Sequence, residues 1–193
     1  MAKTQRTFIA VHFSVEIIDA LARCEEKLKI EIGSRAKIKW VAPKNIHMTL
    51  QFLSEVDVEL LPLLAEELNG AFSKITPFEV EINGIGAFPT PTKPRVIWAG
   101  ITAGQSGLQA LFDQVHRVTE PLGFEREKRD FRPHVTLGRI RDPRKSSNIS
   151  RELDKFANHW LGKCQIALVG LMASELNPGG PIYTTLDSFP LGE

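Results

Sequence analysis

The chain has 193 residues, of which 42% are hydrophobic and 24% charged, as is usual for one globular domain or two small, closely packed lobes. Lysine and arginine (24) nearly balance aspartate and glutamate (23), so the net charge of +1 does not indicate a nucleic-acid partner. Two cysteines without paired spacing exclude a disulfide framework, and no apolar run suits a signal peptide or a membrane span. We therefore expect a cytoplasmic protein that does not associate with membranes.

The first half of the chain predicts strands and helices in alternation. Apolar residues at steps of four, three and four, from Ile17 to Leu28, predict a helix that Ser14 caps and Gly33 ends. Asp57 is a candidate cap for a second helix, which must begin close to Pro62. Strands are predicted by β-prone runs over residues 6–13, 37–41, 77–88 and 95–101 and around the phrase NIHMTLQFL.

The second half predicts a similar series of elements. A third helix covers residues 108–122 and ends at Gly123, and the phrase RPHVTLGRI then predicts a strand. Apolar residues from Ile149 to Trp160 predict a fourth amphipathic helix. One long strand over residues 163–176, the turn NPGGP and a last strand over residues 182–191 complete the chain.

A short phrase, His-x-Thr followed by an apolar residue, occurs once in each half. The copies begin at His47 and His134, which are 87 positions apart, and the same order of elements surrounds each copy. This agreement indicates an internal duplication. We predict an α+β fold, residues 1–193 forming one domain of two intimately packed lobes of mainly antiparallel sheet. A pseudo-two-fold axis relates the lobes, helices cover their outer faces, and an active-site cleft lies between them.

The repeated phrase suits acid–base chemistry on a phosphodiester. Side chains at alternate positions of a strand share a face, so His47 lies beside Thr49 and His134 beside Thr136. An imidazole can donate or accept a proton near neutrality, and threonine hydroxyls can bond phosphate oxygens. We therefore predict that His47 and His134 are catalytic. The reaction needs no metal and no cofactor, and a metalloenzyme is disfavoured because few carboxylates and no cysteines accompany the histidines.

At these residues the sequence resembles the 2H phosphoesterase superfamily, and more narrowly the RNA 2′,3′-cyclic phosphodiesterases, also named 2′-5′ RNA ligases. The resemblance extends from RTFIAVHF through WVAPKNIHMTLQFLSEV and RDFRPHVTLGRI to LMASELNPGGPIYTTLDSFPL. It implies that Arg139, five residues after His134, contacts the phosphate. It implies likewise that Phe52, five residues after His47, stacks on a base, although strict strand alternation places Phe52 on the other face from His47. Relatives commonly carry glycine where this chain has Ser54, at a position expected to be a turn.

Basic residues surround the second phrase. Residues 126–145 contain eight basic and three acidic side chains, so this segment has a local charge of +5, Arg144 and Lys145 included. Arginine can hold phosphate through paired hydrogen bonds. We therefore name Arg129 and Arg132 as further candidates for substrate binding. Tyr183, Trp40 and Trp98 are candidates for lining the cleft.

The resemblance implies hydrolysis of RNA 2′,3′-cyclic phosphate ends to 2′-phosphates, with His47 as the acid and His134 as the base. In reverse the reaction would form a 2′-5′ linkage as a minor activity. The expected partner is an RNA or oligonucleotide with such an end, and we expect a monomer without an obligate protein partner. Two alternatives remain open: a 2H enzyme for a nucleotide-derived small molecule such as ADP-ribose 1″,2″-cyclic phosphate, and an RNA-end-binding protein without significant catalysis.

Overall fold

The structure is a computed structural model that describes residues 3–143, 148–178 and 180–192. Arg144 and Lys145 of the basic segment, and Gly179 of the predicted NPGGP turn, lie outside the described residues. Helices α1 to α4 cover Val15–Ile32, Leu61–Phe72, Gln105–Thr119 and Ser150–Asp154. Strands β1 to β9 cover Thr4–Val11, Ile38–Trp40, Met48–Asp57, Phe78–Thr90, Lys93–Ala103, His134–Ile140, Trp160–Ile166, Leu168–Glu175 and Ile182–Pro190.

The strands form two antiparallel sheets. The first sheet has the order β3-β1-β8-β9, and the second has the order β2-β6-β5-β4-β7. Helices α2 and α3 lie against strands of the first sheet, whereas α1 and α4 lie against strands of the second. The α+β architecture predicted from the sequence is therefore confirmed.

Each half of the chain contributes to both sheets. The strand that follows the first phrase and its helix, β4, belongs to the second sheet, where it pairs with β5. The strand β8, which follows the second phrase, belongs to the first sheet, where it pairs with β1. The two sheets share one apolar cluster, in which Ile9 and Leu171 of the first join Ile97 and Leu137 of the second. The two sheets are therefore built by exchange of strands between the two halves.

Most predicted helix ends are confirmed. Gly33 follows α1 with a φ of 53°, and Gly123 follows the third helical segment with a φ of 92°, a region that favours glycine. Asp57 caps a 3-10 turn directly before α2, because its carboxylate accepts a hydrogen bond from the Glu59 N–H at 3.0 Å. Pro62 lies in the first turn of α2, where its missing N–H costs nothing.

Two predictions for the C-terminal part are wrong. The fourth helix does not reach Trp160 but ends at Asp154, and Trp160, which is 61% exposed, begins β7. Ile149, Leu153 and Phe156 are nevertheless buried, because a short helix and the turns after it continue the same apolar face. The run over residues 163–176 is not one strand: Ala167 separates β7 in the second sheet from β8 in the first. No helix among the described residues is both long and apolar enough to cross a membrane.

Candidate active site

Matching β-bulges determine which side chains of the two phrases share a face with the histidines. In β3, Thr49 pairs with Ala10 and Gln51 with Ile9, so Leu50 is an extra residue without a partner. In β6 the corresponding extra residue is Leu137. Both leucines are buried and lie three residues after the histidine of their phrase. An extra residue reverses the faces of the side chains that follow it.

The bulges bring the fifth residue after each histidine to the histidine's own face. Beyond Leu50, Phe52 pairs with Phe8, two residues from the Ala10 that pairs with Thr49. Beyond Leu137, Arg139 pairs with Val96, two residues from the Trp98 that pairs with Thr136. Strict alternation would have placed Phe52 on the opposite face, and the bulge is the physical reason that it does not lie there.

The two histidine rings are held in the same way. Nδ1 of His47 lies 2.7 Å from the carbonyl oxygen of Asn45, and Nδ1 of His134 lies 2.7 Å from that of Arg132. A carbonyl oxygen can only accept, so each Nδ1 carries a proton and donates it. In the neutral ring Nε2 is then a proton acceptor. The hydroxyl of Thr49 donates to Nε2 of His47 over 3.1 Å.

Aromatic rings enclose both histidines. The Tyr183 ring meets His47 edge-on at 5.3 Å, and the Phe88 ring meets His134 edge-on at 5.1 Å. Phe8 lies 4.9 Å from His47 between centroids and 5.8 Å from Phe52, so it connects the first histidine to the exposed phenylalanine. Phe52 is 60% exposed, which leaves its ring free to stack on a planar group. Of the three cleft candidates Tyr183 lies beside His47, Trp98 is on the cleft face, and Trp40 covers Gly138 on the opposite face.

Burial disfavours the charged form of both histidines. Loss of solvent lowers the pKa of His47 to about 4, against the weaker opposing effect of the Asn45 carbonyl. Burial likewise lowers the pKa of His134. The positive charge of Arg139 contributes to the lowering of both pKa values, and it also opposes the rise that burial causes in the pKa of Tyr183. Arg139 of the second sheet therefore lies close enough to His47 and Tyr183 for its charge to act on both, and strands β3 and β6 of the two phrases contact each other.

The other two arginine candidates differ from Arg139, and Arg132 contacts His134 only through its backbone carbonyl. Arg132 is exposed on the segment before β6 and lines a cavity of about 490 Å³ that Trp98 and Phe131 also line. Arg129 forms a double contact with Glu127, at 3.1 and 2.9 Å, and its side chain is 87% exposed. Within the described residues Arg129 has no contact with His47 or His134.

His12, which the sequence analysis does not name as a site residue, lies close enough to His47 for its charge to act on that ring. It follows β1, its ring Nε2 lies 3.3 Å from the sulfur of Met172, and its charge contributes to the lowered pKa of His47. The only sequence signal for this position was its place at the end of a strand that borders the cleft. Residues 3–143, 148–178 and 180–192 contain no group of three or more histidine, cysteine or carboxylate side chains arranged to hold a metal ion.

Comparison with known proteins identifies the family. The sequence model of the LigT-like phosphoesterase family matches the chain in two segments, residues 14–98 and 101–183. The first residues of these segments are 87 positions apart. Each segment contains one of the two phrases. The chain therefore belongs to the LigT-like phosphoesterase family, and the resemblance to 2H phosphoesterases noted in the sequence is confirmed.

Individual relatives agree with this assignment over almost the whole chain. The RNA 2′,3′-cyclic phosphodiesterase of Methanothermobacter thermautotrophicus is 34% identical over 188 residues, 96% of this chain and 98% of its own. The protein of the same name from Aquifex aeolicus is 33% identical over 192 residues. This alignment includes 98% of this chain and 99% of the relative. The crystal structure of TT0787 from Thermus thermophilus has a TM-score of 0.80 at 30% identity, with 97% of this chain and 99% of that chain covered.

Proposed function

We propose that the chain hydrolyses RNA 2′,3′-cyclic phosphate ends to 2′-phosphate ends without a metal ion, by acid–base catalysis between His47 and His134. The observation that carries the proposal is the matched pair of Nδ1–H contacts, 2.7 Å each, which keeps Nδ1 protonated in both rings and makes Nε2 the atom for proton transfer. The names of the relatives, RNA 2′,3′-cyclic phosphodiesterases, support this choice of substrate.

In this mechanism Nε2 of His134 takes a proton from water while the water oxygen attacks phosphorus. The bond from phosphorus to O3′ breaks, and protonated His47 gives its Nε2 proton to O3′. The phosphate remains on O2′, and proton exchange with solvent restores both imidazoles. The free pKa of His47, about 4, disfavours its acid form, but the anionic phosphate stabilises the imidazolium when substrate is bound.

Residues around the histidines hold the substrate. We assign Arg139 to the non-bridging phosphate oxygens, because its guanidinium is exposed on the cleft face and affects both histidines. The hydroxyls of Thr49 and Thr136 can donate to the same oxygens. We assign the exposed ring of Phe52 to the terminal base. Arg132, which lines the neighbouring cavity, is a more distant candidate, and Arg129 would first have to release Glu127.

An oligonucleotide with a 2′,3′-cyclic phosphate end tests the proposal in a buffer that contains EDTA. We expect His47→Ala and His134→Ala each to lower kcat by about 100- to 10,000-fold, since each removes one proton transfer. His159→Ala is the matched control, because its ring packs against Phe156 and is not part of either phrase. Full activity in either phrase variant, or loss of wild-type activity in EDTA, would contradict the mechanism.

Two further properties belong to the same proposal. We place the reaction in the cytoplasm, which agrees with two free, buried cysteines, and assign it to a monomer, since both phrases come from one chain. Turnover of ADP-ribose 1″,2″-cyclic phosphate in preference to the oligonucleotide would assign the site to a small molecule instead. Tight oligonucleotide binding without hydrolysis would indicate an RNA-end-binding protein.

A further inference from the structure

Four basic side chains share the cleft face of the second sheet beyond the histidines. Lys39 of β2 pairs with Arg139 of β6. Two residues further along the same pair of strands, the Arg141 N–H donates to the Lys37 carbonyl over 2.9 Å. This hydrogen bond places Arg141 opposite Lys37. All four side chains are exposed, whereas Ile38 and Ile140 between them pack on the other face. We call Lys37, Lys39, Arg139 and Arg141 the basic track.

The basic track is unfavourable unless an anion binds to it. Like charges directly opposite on neighbouring strands repel each other and weaken the pairing. Within the described part of the chain, none of the four side chains has a carboxylate partner, whereas six other lysines and arginines form ion pairs. Two repulsive pairs in succession at the rim of an active site therefore indicate a bound polyanion.

The position of the track indicates which part of a substrate it would meet. Arg139 acts on both histidines, so the first pair lies at the reacting phosphate. The ammonium group of Lys39 lies 3.7 Å from where a Cβ on Gly180 would be, so this side chain reaches the turn before β9 in the first sheet. The second pair, Lys37 and Arg141, lies two residues further along the strands. Because a strand rises about 3.3 Å per residue, the two pairs are about 7 Å apart. This step suits the next phosphate of an extended nucleic-acid chain.

We propose that the basic track binds the phosphodiester backbone on the 5′ side of the terminal nucleotide, so that the enzyme prefers oligonucleotides to mononucleotides. In this arrangement Lys39 supports Arg139 at the cyclic phosphate, and Lys37 and Arg141 hold the phosphate that links the terminal nucleotide to the rest of the strand. The inference depends on the proposed function, because it names the length of substrate that the same site selects.

The test compares two substrates with the same reacting group: adenosine 2′,3′-cyclic phosphate and an eight-residue RNA that ends in it. The test variant is the double variant Lys37→Gln with Arg141→Gln, and Lys39→Gln serves as the comparison at the cyclic phosphate. We expect the double variant to lower the ratio of kcat/KM for the octamer to kcat/KM for the mononucleotide by about five- to tenfold, whereas Lys39→Gln should lower kcat/KM for both substrates and leave their ratio unchanged. The negative slope of log kcat/KM for the octamer against log salt should become shallower by about 0.7 for each charge removed.

Lys74→Gln is the matched control, because it removes one exposed positive charge after α2, on the outer side of the first sheet. Its ratio and salt slope should equal those of the wild type. An unchanged ratio in the double variant Lys37→Gln with Arg141→Gln, or an equal loss for both substrates in that variant, would overturn the inference. Failure of the wild type to hydrolyse either substrate would instead refute the proposed function, so the two failures are distinguishable.

Discussion

The two histidines have the same tautomer but different surroundings. Both donate Nδ1–H to the carbonyl two residues earlier. His47 also has Thr49 on Nε2, His12 nearby and Tyr183 against its ring, and its pKa is about 4. His134 has Phe88 beside it and a pKa that burial also lowers. In the free enzyme burial therefore favours the neutral form of both imidazoles.

This gives a definite pH dependence for kcat/KM, which reports the free enzyme. In the active form one of the two imidazoles is protonated and the other is neutral. Burial lowers both pKa values from the ordinary value of an imidazole, that of His47 to about 4. Above the higher pKa that form is lost tenfold per pH unit, so we expect kcat/KM to fall steadily from pH 7 to pH 9. Arg139→Gln removes a charge that lowers both pKa values, and should move this decline to higher pH. A profile that is flat over this range in the wild type would contradict the assignment.

At the scale of elements, β3 contains a second irregularity after the first bulge. Phe52 pairs with Phe8 and Ser54 with Thr7, so Leu53 is a second extra residue. Ser54 has a φ of 61°, the only positive φ of a non-glycine among the described residues. The sequence predicted a turn here, but the structure shows that the position lies within a strand. Glycine in relatives therefore has a conformational reason, because a Cβ is strained at this φ.

Replacing Ser54 tests this strain. Ser54→Gly should raise the free energy of unfolding by about 0.5 to 1 kcal/mol, because relief of the strain exceeds the added freedom of the unfolded chain. Urea denaturation followed by circular dichroism measures the difference. Ser54→Ala keeps the Cβ and should show no gain. A stabilisation of the same size in both variants would mean that the hydroxyl, not the backbone conformation, is responsible.

The elements also show what sequence patterns could and could not predict. Apolar periodicity predicted α1 to α3 because each of these helices has one buried face. Ser14 precedes α1 as predicted, but its side chain makes no capping hydrogen bond. The same periodicity wrongly predicted that the fourth helix extends to Trp160. Spacing alone cannot distinguish a continuing helix from a turn that buries the same face. The phrases gave the histidines and threonines of the site, but the face of Phe52 depends on a bulge that has no sequence signature. The basic track is set by the pairing of β2 with β6, which links distant residues.

At the scale of the whole molecule, exchange of strands makes the two sheets depend on each other. The central pair of the first sheet joins β1 to β8, from opposite ends of the chain. The second sheet includes β2 and β4 from the first half together with β6 and β7 from the second. The apolar cluster is common to both sheets. Neither sheet can lose its structure without exposing apolar side chains that pack against the other.

We therefore expect one cooperative unfolding transition. All three tryptophans, Trp40, Trp98 and Trp160, lie in strands of the second sheet, so tryptophan fluorescence reports that sheet alone. Far-ultraviolet circular dichroism reports all the elements. The urea midpoints from the two signals should coincide. Separated midpoints would show that the two lobes are independent folding units, contrary to the expectation of a single domain.

The exchange of strands also has a consequence for synthesis of the chain. While the polypeptide leaves the ribosome, β1 can pair with β3 early, but its other edge must wait for β8. Until then β1 presents unpaired N–H and C=O groups, which are prone to pair with other chains. The nascent protein therefore carries an open strand edge beside its first catalytic phrase until residues 168–175 have emerged. Only the last part of translation gives His47 the complete sheet in which it works.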